Sequence, residues 1–148
     1  MTVIAWDGTT LAADKRTNFG NSFATTTKIH RIGKSLVGYS GESSIGCELM
    51  AWAKAGFLAE DFPTACRDKI FSLLVINAKS ILYFCSGPYP ISIEECMYTI
   101  GSGCDYATAA MYCGKTAVEA VEIACLFDPN CGNGIDMLRL HKKTLDER

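Results

Sequence analysis

The chain lacks the features that mark several large classes of protein. No apolar run approaches the ~20 residues of a membrane-spanning helix; the nearest candidate, Ile70 to Ile76, is interrupted by Ser72. Basic residues are not in excess: 14 Lys+Arg against 16 Asp+Glu give a formal net charge of −2. That balance excludes the broad cationic footprint of nucleic-acid binding. No basic stretch precedes the apolar start, which Asp7-Gly8 interrupts, so no secretory signal is expected. None of the eight cysteines stands in a CxxC pair, and neither His30 nor His141 adjoins a cysteine pair, which argues against zinc. The same two histidines are too few and too separate for a Cys–His nucleophile. GxSxG, HExxH and the P-loop are absent, and the glycines at 101 and 103 are followed by Tyr106 where a dinucleotide fingerprint needs glycine. Asp128-Pro-Asn-Cys-Gly-Asn-Gly resembles a calcium loop, but Pro129 follows the first ligand and no glutamate closes it. The expectation is therefore no cofactor and no metal.

What is present describes one domain spanning residues 1–148. Of the 148 residues, 49% are hydrophobic and 20% charged, which excludes disorder, and a chain of this length buries roughly two-thirds of its unfolded surface. Without a signal, a cytoplasmic location is expected, with the cysteines reduced and acting as small apolar groups. Lys142 to Arg148 reads as a solvated tail.

Periodicity orders the elements. Thr2 to Trp6 and Thr9 to Ala13 alternate around Asp7-Gly8 as a hairpin, and Thr25 to Ile32 turns at Gly33-Lys34 into Ser35 to Tyr39. Ile45, Leu49, Trp52 and Gly56 then recur at helical spacing, in a helix that must end before Pro63. Phe71 to Asn77 and Ile81 to Cys85 form a third hairpin, and a short strand lies near Tyr98. Asp105 to Cys113 is predicted helical, with Gly114 as its stop. Thr116 and Glu119 make a capping box for a helix that runs to Phe127 and stops at Asp128-Pro129. Ile135 to Leu140 alternates as a closing strand. Trp6, Trp52 and the Ala107-Thr-Ala-Ala-Met111 run read as core. Locally paired strands with helices in separate runs imply an α+β arrangement of antiparallel sheets covered by helices.

The unusual position is Thr2. Its small side chain permits removal of the initiator methionine, leaving a hydroxyl beside a free α-amine, the nucleophile and base of an N-terminal nucleophile. An α-amine ordinarily titrates at about 7.7–8.0, close to working pH. In the first hairpin Asp14 falls at the strand end across from Thr2, and Lys28 could present its ammonium toward Asp14. A cation there disfavours protonation of the amine. The competing reading is a surface ion pair worth under about 1 kcal/mol.

The chain resembles proteasome β-type subunits and their bacterial and phage relatives. The matching pieces are Thr2 at the mature start, Ala12-Ala-Asp-Lys-Arg16, Gly20-Asn21 and Lys28-Ile-His-Arg-Ile32. They continue through Leu36-Val-Gly-Tyr-Ser-Gly41, Ile100-Gly-Ser-Gly103 and Asp128-Pro-Asn-Cys-Gly132, in family order over nearly the whole chain. The resemblance implies a four-layer αββα sandwich, the N-terminal nucleophile hydrolase fold, and a threonine peptidase. Thr2 would attack a peptide carbonyl to give an acyl-enzyme, with its amine as proton acceptor. Asp14 and Lys28 fall at the family's essential aspartate and lysine, and Gly41 at its backbone oxyanion donor. Ser102, Asp128 and Cys131 would hold the amine and its water. Tyr39 falls at the base of the specificity pocket, where a ring would shorten it and favour small uncharged side chains. Thr17 and Thr26 are assigned with it to substrate binding.

The resemblance further implies a peptide or unfolded-protein substrate and a homo-oligomeric ring or stacked assembly, in some relatives served by an ATP-driven unfoldase. Two departures stand out. Cys131 replaces the usual serine or threonine with a weaker donor and acceptor, and the short region after the first long helix implies that the family's second long helix is reduced or missing. Two alternatives follow: a catalytically inactive assembly subunit, and an amidase of the same nucleophile class acting on a small molecule.

Overall fold

The computed structural model describes residues 2–140. Met1, His141 and the tail expected at Lys142–Arg148 lie outside the described residues.

Strands β1 (Ile4–Trp6) and β2 (Thr10–Asp14) form the first hairpin. Its turn is fixed by Asp7, one carboxylate oxygen of which accepts from the N–H groups of Thr9 and Thr10 at 2.9 Å each. The other oxygen accepts from the N–H of Ala117 at 2.9 Å. Burial pushes the Asp7 pKa up, and these hydrogen bonds outweigh it, so the carboxyl sits below its ordinary value. The Asp7 N–H bonds the Thr10 carbonyl, which makes Gly8-Thr9 the centre of the turn rather than Asp7-Gly8. Ile4 therefore pairs with Ala13, and the Asp14 N–H donates to the Val3 carbonyl at 3.2 Å. Asp14 thus lies across from Val3, not from Thr2 as expected.

A ribbon that the sequence reading omitted follows, β3 (Arg16–Phe19) paired with β4 (Ser22–Thr25). Thr25 closes this ribbon, and the next hairpin starts at β5 (Ile29–Ile32) and returns as β6 (Ser35–Gly41). Helix α1 (Ser43–Lys54) comes next. Only two short 3-10 turns, Ala59–Asp61 and Thr64–Cys66, separate it from β7 (Phe71–Ile76), so this region holds no second long helix. Strands β8 (Ile81–Phe84) and β9 (Ile91–Ile93) complete a five-stranded antiparallel sheet in the order β5-β6-β7-β8-β9. Strand β10 (Tyr98–Ile100) leads to α2 (Cys104–Tyr112), α3 (Ala117–Phe127) and β11 (Ile135–Arg139). The first sheet is antiparallel and runs β10-β1-β2-β11. The capping box at α3 is present, Thr116 N–H to Glu119 at 3.1 Å and Glu119 N–H to the Thr116 hydroxyl at 3.2 Å.

The layers follow from alternation along the central strands, whose neighbouring side chains point to opposite faces. Val3, Ala5 and Ala12 pack against Ala107, Ala120 and Val121 of α2 and α3. Their neighbours Ile4, Trp6, Leu11 and Ala13 meet Ile29, Leu36, Leu74 and Ile76 of the second sheet. The outer face of that sheet, Val37, Leu73 and Val75, meets Leu49 and Trp52 of α1. Trp52 anchors this layer through edge-on contacts with Phe57, Phe62 and Phe84 at 5.0–5.3 Å. Helices, sheet, sheet, helix is the αββα sandwich expected. Among the described residues no helix is long and apolar enough to cross a membrane.

Candidate active site

Thr2 precedes β1 and is 4% exposed. The segment after β10 wraps it: the Gly103 N–H donates to the Thr2 carbonyl at 3.1 Å, and the Thr2 N–H donates to the Ser102 hydroxyl at 3.3 Å. Gly101, at φ +98°, makes this approach possible, because a Cβ there would fall 2.1 Å from the Thr2 carbonyl oxygen. The Ser102 hydroxyl in turn donates to Asp128 Oδ2 at 2.6 Å. Burial pushes the Asp128 pKa up, but hydrogen bonds from Ser102, the Asn130 N–H and the Cys131 thiol outweigh it and hold the carboxyl below its ordinary value. A polarised chain therefore runs from the Thr2 nitrogen through Ser102 to an ionised carboxylate.

Cys131 sits in that network, its sulfur 3.4 Å from Asp128 Oδ2 and 3.9 Å from the Ser102 hydroxyl. Burial, with the charges of Asp14 and Asp128, pushes its thiol pKa up to about 12. It is a neutral donor and no thiolate nucleophile.

Asp14 and Lys28 form a buried pair, not a surface one: Nζ lies 2.8 Å from Oδ1, with the side chains 7% and 0% exposed. Oδ1 also accepts the Val3 N–H at 3.1 Å, and Oδ2 accepts the N–H groups of Arg16 at 3.2 Å and Gly132 at 3.1 Å. Burying a carboxylate is tolerable only when it is matched in this way. Asp14 thereby ties the start of the chain, the entry to the β3–β4 ribbon and the loop after Asp128 to one cation. Arg16 reinforces the tie. Its guanidinium donates to the Pro129 carbonyl at 2.8 Å and to Asn133 at 3.0 Å, and stacks 4.4 Å over the Phe23 ring.

A cavity of about 560 Å³ is lined by Thr2, Lys28, Gly41, Tyr39, Thr17 and Thr26, so these expected site residues meet in one place. The Thr17 and Thr26 hydroxyls hydrogen-bond each other. Ser102, Asp128 and Cys131 form the network bonded to the Thr2 nitrogen, and Asp14 holds Lys28. Tyr39 lines the cavity. Its ring lies on α1 at Gly46, where a Cβ would come 2.3 Å from a ring carbon, and its hydroxyl donates to the Glu42 carbonyl. Burial pushes its pKa well above the ordinary phenol value. The cavity also runs along α1 to Cys47, Met50 and Lys54, with His30 on its wall.

His30, read from sequence as isolated, is therefore a cavity residue. The signal was available: His30 stands two residues after Lys28, the spacing that puts neighbours of an extended chain on one side, and Thr26 and Thr27 line the cavity with them.

No protein-family model and no curated protein matches the chain. Solved structures do. Thiobacillus denitrificans BPH in complex with epoxomicin is similar at a TM-score of 0.74 and 20% identity, over 96% of this chain and 100% of that one. BPH without that ligand gives 0.69 and 20%, over 97% and 100%. Eukaryotic HslV from Trypanosoma brucei gives 0.72 and 22%, over 95% and 99%. The whole-chain fold implied by the sequence resemblance is thus the fold observed.

Proposed function

We propose that the chain is a threonine peptidase of the proteasome β type, with Thr2 as nucleophile. The observation that carries this reading is the buried Thr2 nitrogen bonded to the Ser102–Asp128 pair, beside a cavity that the buried Lys28 ammonium also lines. Cleavage after Met1 frees the α-amine. The Thr2 hydroxyl adds to the substrate carbonyl while its proton passes to that amine, directly or through a water. The Gly41 N–H receives the oxyanion. The carbon–nitrogen bond breaks, the leaving amine takes the proton, and an ester to Thr2 remains for water to hydrolyse. Lys28 disfavours protonation of the α-amine and so keeps it basic. Asp14 holds Lys28, and Ser102, Asp128 and Cys131 orient the nitrogen. Substrates are peptides or unfolded protein segments. A cytoplasmic homo-oligomeric ring or stack, with or without an ATP-driven unfoldase, keeps the site from folded proteins.

Intact mass and an epoxyketone probe test this together, since BPH has been solved with epoxomicin and an epoxyketone bridges a hydroxyl and an amine on adjacent carbons. The expected result is a chain lacking Met1 that gains one adduct, mapped to Thr2. A retained methionine, or no adduct on a processed chain, rejects the peptidase in favour of an assembly subunit.

Cys131 is the one observation that favours that second reading. A hydroxyl donates to a carboxylate more strongly than a thiol, so Cys131→Ser is expected to raise the hydrolysis rate roughly two- to fivefold, measured with a fluorogenic peptide. A lowered rate would show that the thiol fits this network better than the hydroxyl it replaces.

A further inference from the structure

The proposal concerns the far end of the cavity and rests on the peptidase reading. Helix α1 lends the cavity the flank formed by Ser43, Gly46, Cys47, Met50, Ala51 and Lys54. These positions are separated by three or four residues or adjacent, one side of a helix. The twelve residues of α1 extend about 18 Å, so the cavity is far longer than Thr2 alone requires. Side chains lean toward the helix N-terminus, and Lys54 in the last turn lines the cavity with Met50 and Ala51. His30 lines it from β5.

The charged side chains that line this space are basic. No carboxylate appears among the described residues that line the cavity, whereas Lys28, Lys54 and His30 do. Lys28 is committed to Asp14. Lys54 and His30 lie close enough that, after burial, the Lys54 charge is the next cause holding the His30 imidazole below its ordinary pKa. Nearby acids have other partners: Asp136 pairs with Lys15 at 2.7 Å, though its charge partly offsets that of Lys54 at His30, and Glu42 accepts from the Ser44 hydroxyl at 2.8 Å. An ammonium and an imidazole held toward its neutral form therefore share an apolar-walled space that no carboxylate lines. Such an arrangement favours an anionic occupant and disfavours a cationic one.

We propose that the cavity takes an acidic side chain of the substrate, on the acyl side of the scissile bond, with Lys54 and His30 as its specificity-determining residues. Met50 and Ala51 would cover the methylenes of a glutamate while its carboxylate reaches Lys54.

Peptides differing only in that residue, Glu, Gln, Leu or Lys, test the assignment on the full chain in its own assembly. Glu is expected to be cleaved about fivefold faster than Gln at low ionic strength. Lys54→Gln should bring that ratio to about one, and Lys54→Glu should favour the Lys peptide. A wild-type ratio at or below one, or a ratio unmoved by Lys54→Gln, overturns the assignment. The same peptides are titrated onto Thr2→Ala protein by fluorescence anisotropy, which reads the preference without turnover. Glu preference in binding with no cleavage by the wild type would uphold the pocket and reject the peptidase. Absence of preference in both rejects the pocket whatever the activity.

Discussion

Thr2→Ala is expected to lower peptide hydrolysis at least about ten-thousand-fold, the scale of losing a covalent nucleophile. The fold should not register the change. The contacts described for Thr2, its N–H to Ser102 and its carbonyl from Gly103, are made by main-chain atoms that alanine retains. Thermal melting should therefore shift by no more than about 2 °C, which separates loss of chemistry from loss of structure. Thr2→Ser keeps both hydroxyl and amine, and should retain activity while losing only the packing of a methyl group. Activity above about one per cent in Thr2→Ala would move the nucleophile elsewhere in the cavity. Its other aliphatic hydroxyls and its thiol, on Thr17, Thr26, Thr27, Ser43 and Cys47, would then be tested in turn.

What the sequence disclosed divides along physical lines. Hairpins with both faces buried advertise themselves, as at Phe71 to Ile76, and so does a capping box, because Thr116 and Glu119 act on their own turn. The β3–β4 ribbon is half or fully exposed along its length and lacks the apolar alternation that marks a strand, leaving only Gly20-Asn21 as a turn signal. The misplaced first turn has a similar cause. Asp7-Gly8 is a common turn pair, but the Asp7 side chain here caps the N–H groups of Thr9 and Thr10, which moves the turn centre one residue on. Of the site, the Asp14–Lys28 pair was legible as residue types, whereas its burial depends on backbone donors from Val3, Arg16 and Gly132, the last of them 118 residues away in sequence. The α1 flank of the cavity escaped notice for a plainer reason. A hydrophobic pattern reports the face that packs, Ile45, Leu49 and Trp52, and the adjoining Cys47 and Lys54 read as ordinary exposed surface.

The burial of Asp14 also decides what happens when its cation is removed. Lys28→Met leaves a carboxylate that is fully buried and has lost its only described charged partner. Three backbone N–H groups remain on it, but uncompensated buried charge is expected to cost about 3–5 kcal/mol, read as a lowered urea midpoint. Activity should vanish as well, which by itself would not tell a misfolded site from an unactivated one. Asp14→Asn supplies the discrimination. An amide removes the charge yet turns one N–H donor toward backbone donors, so the single variant is also destabilised, by about 1–3 kcal/mol. In the double variant Lys28→Met/Asp14→Asn no charge is stranded, and stability should exceed the sum of the single losses by about 2 kcal/mol or more, against under about 1 for an exposed pair. Activity should stay absent, because nothing then disfavours protonation of the Thr2 amine. Restored stability with restored hydrolysis would mean that Lys28 serves only to hold Asp14, and that the base at Thr2 needs no cation beside it.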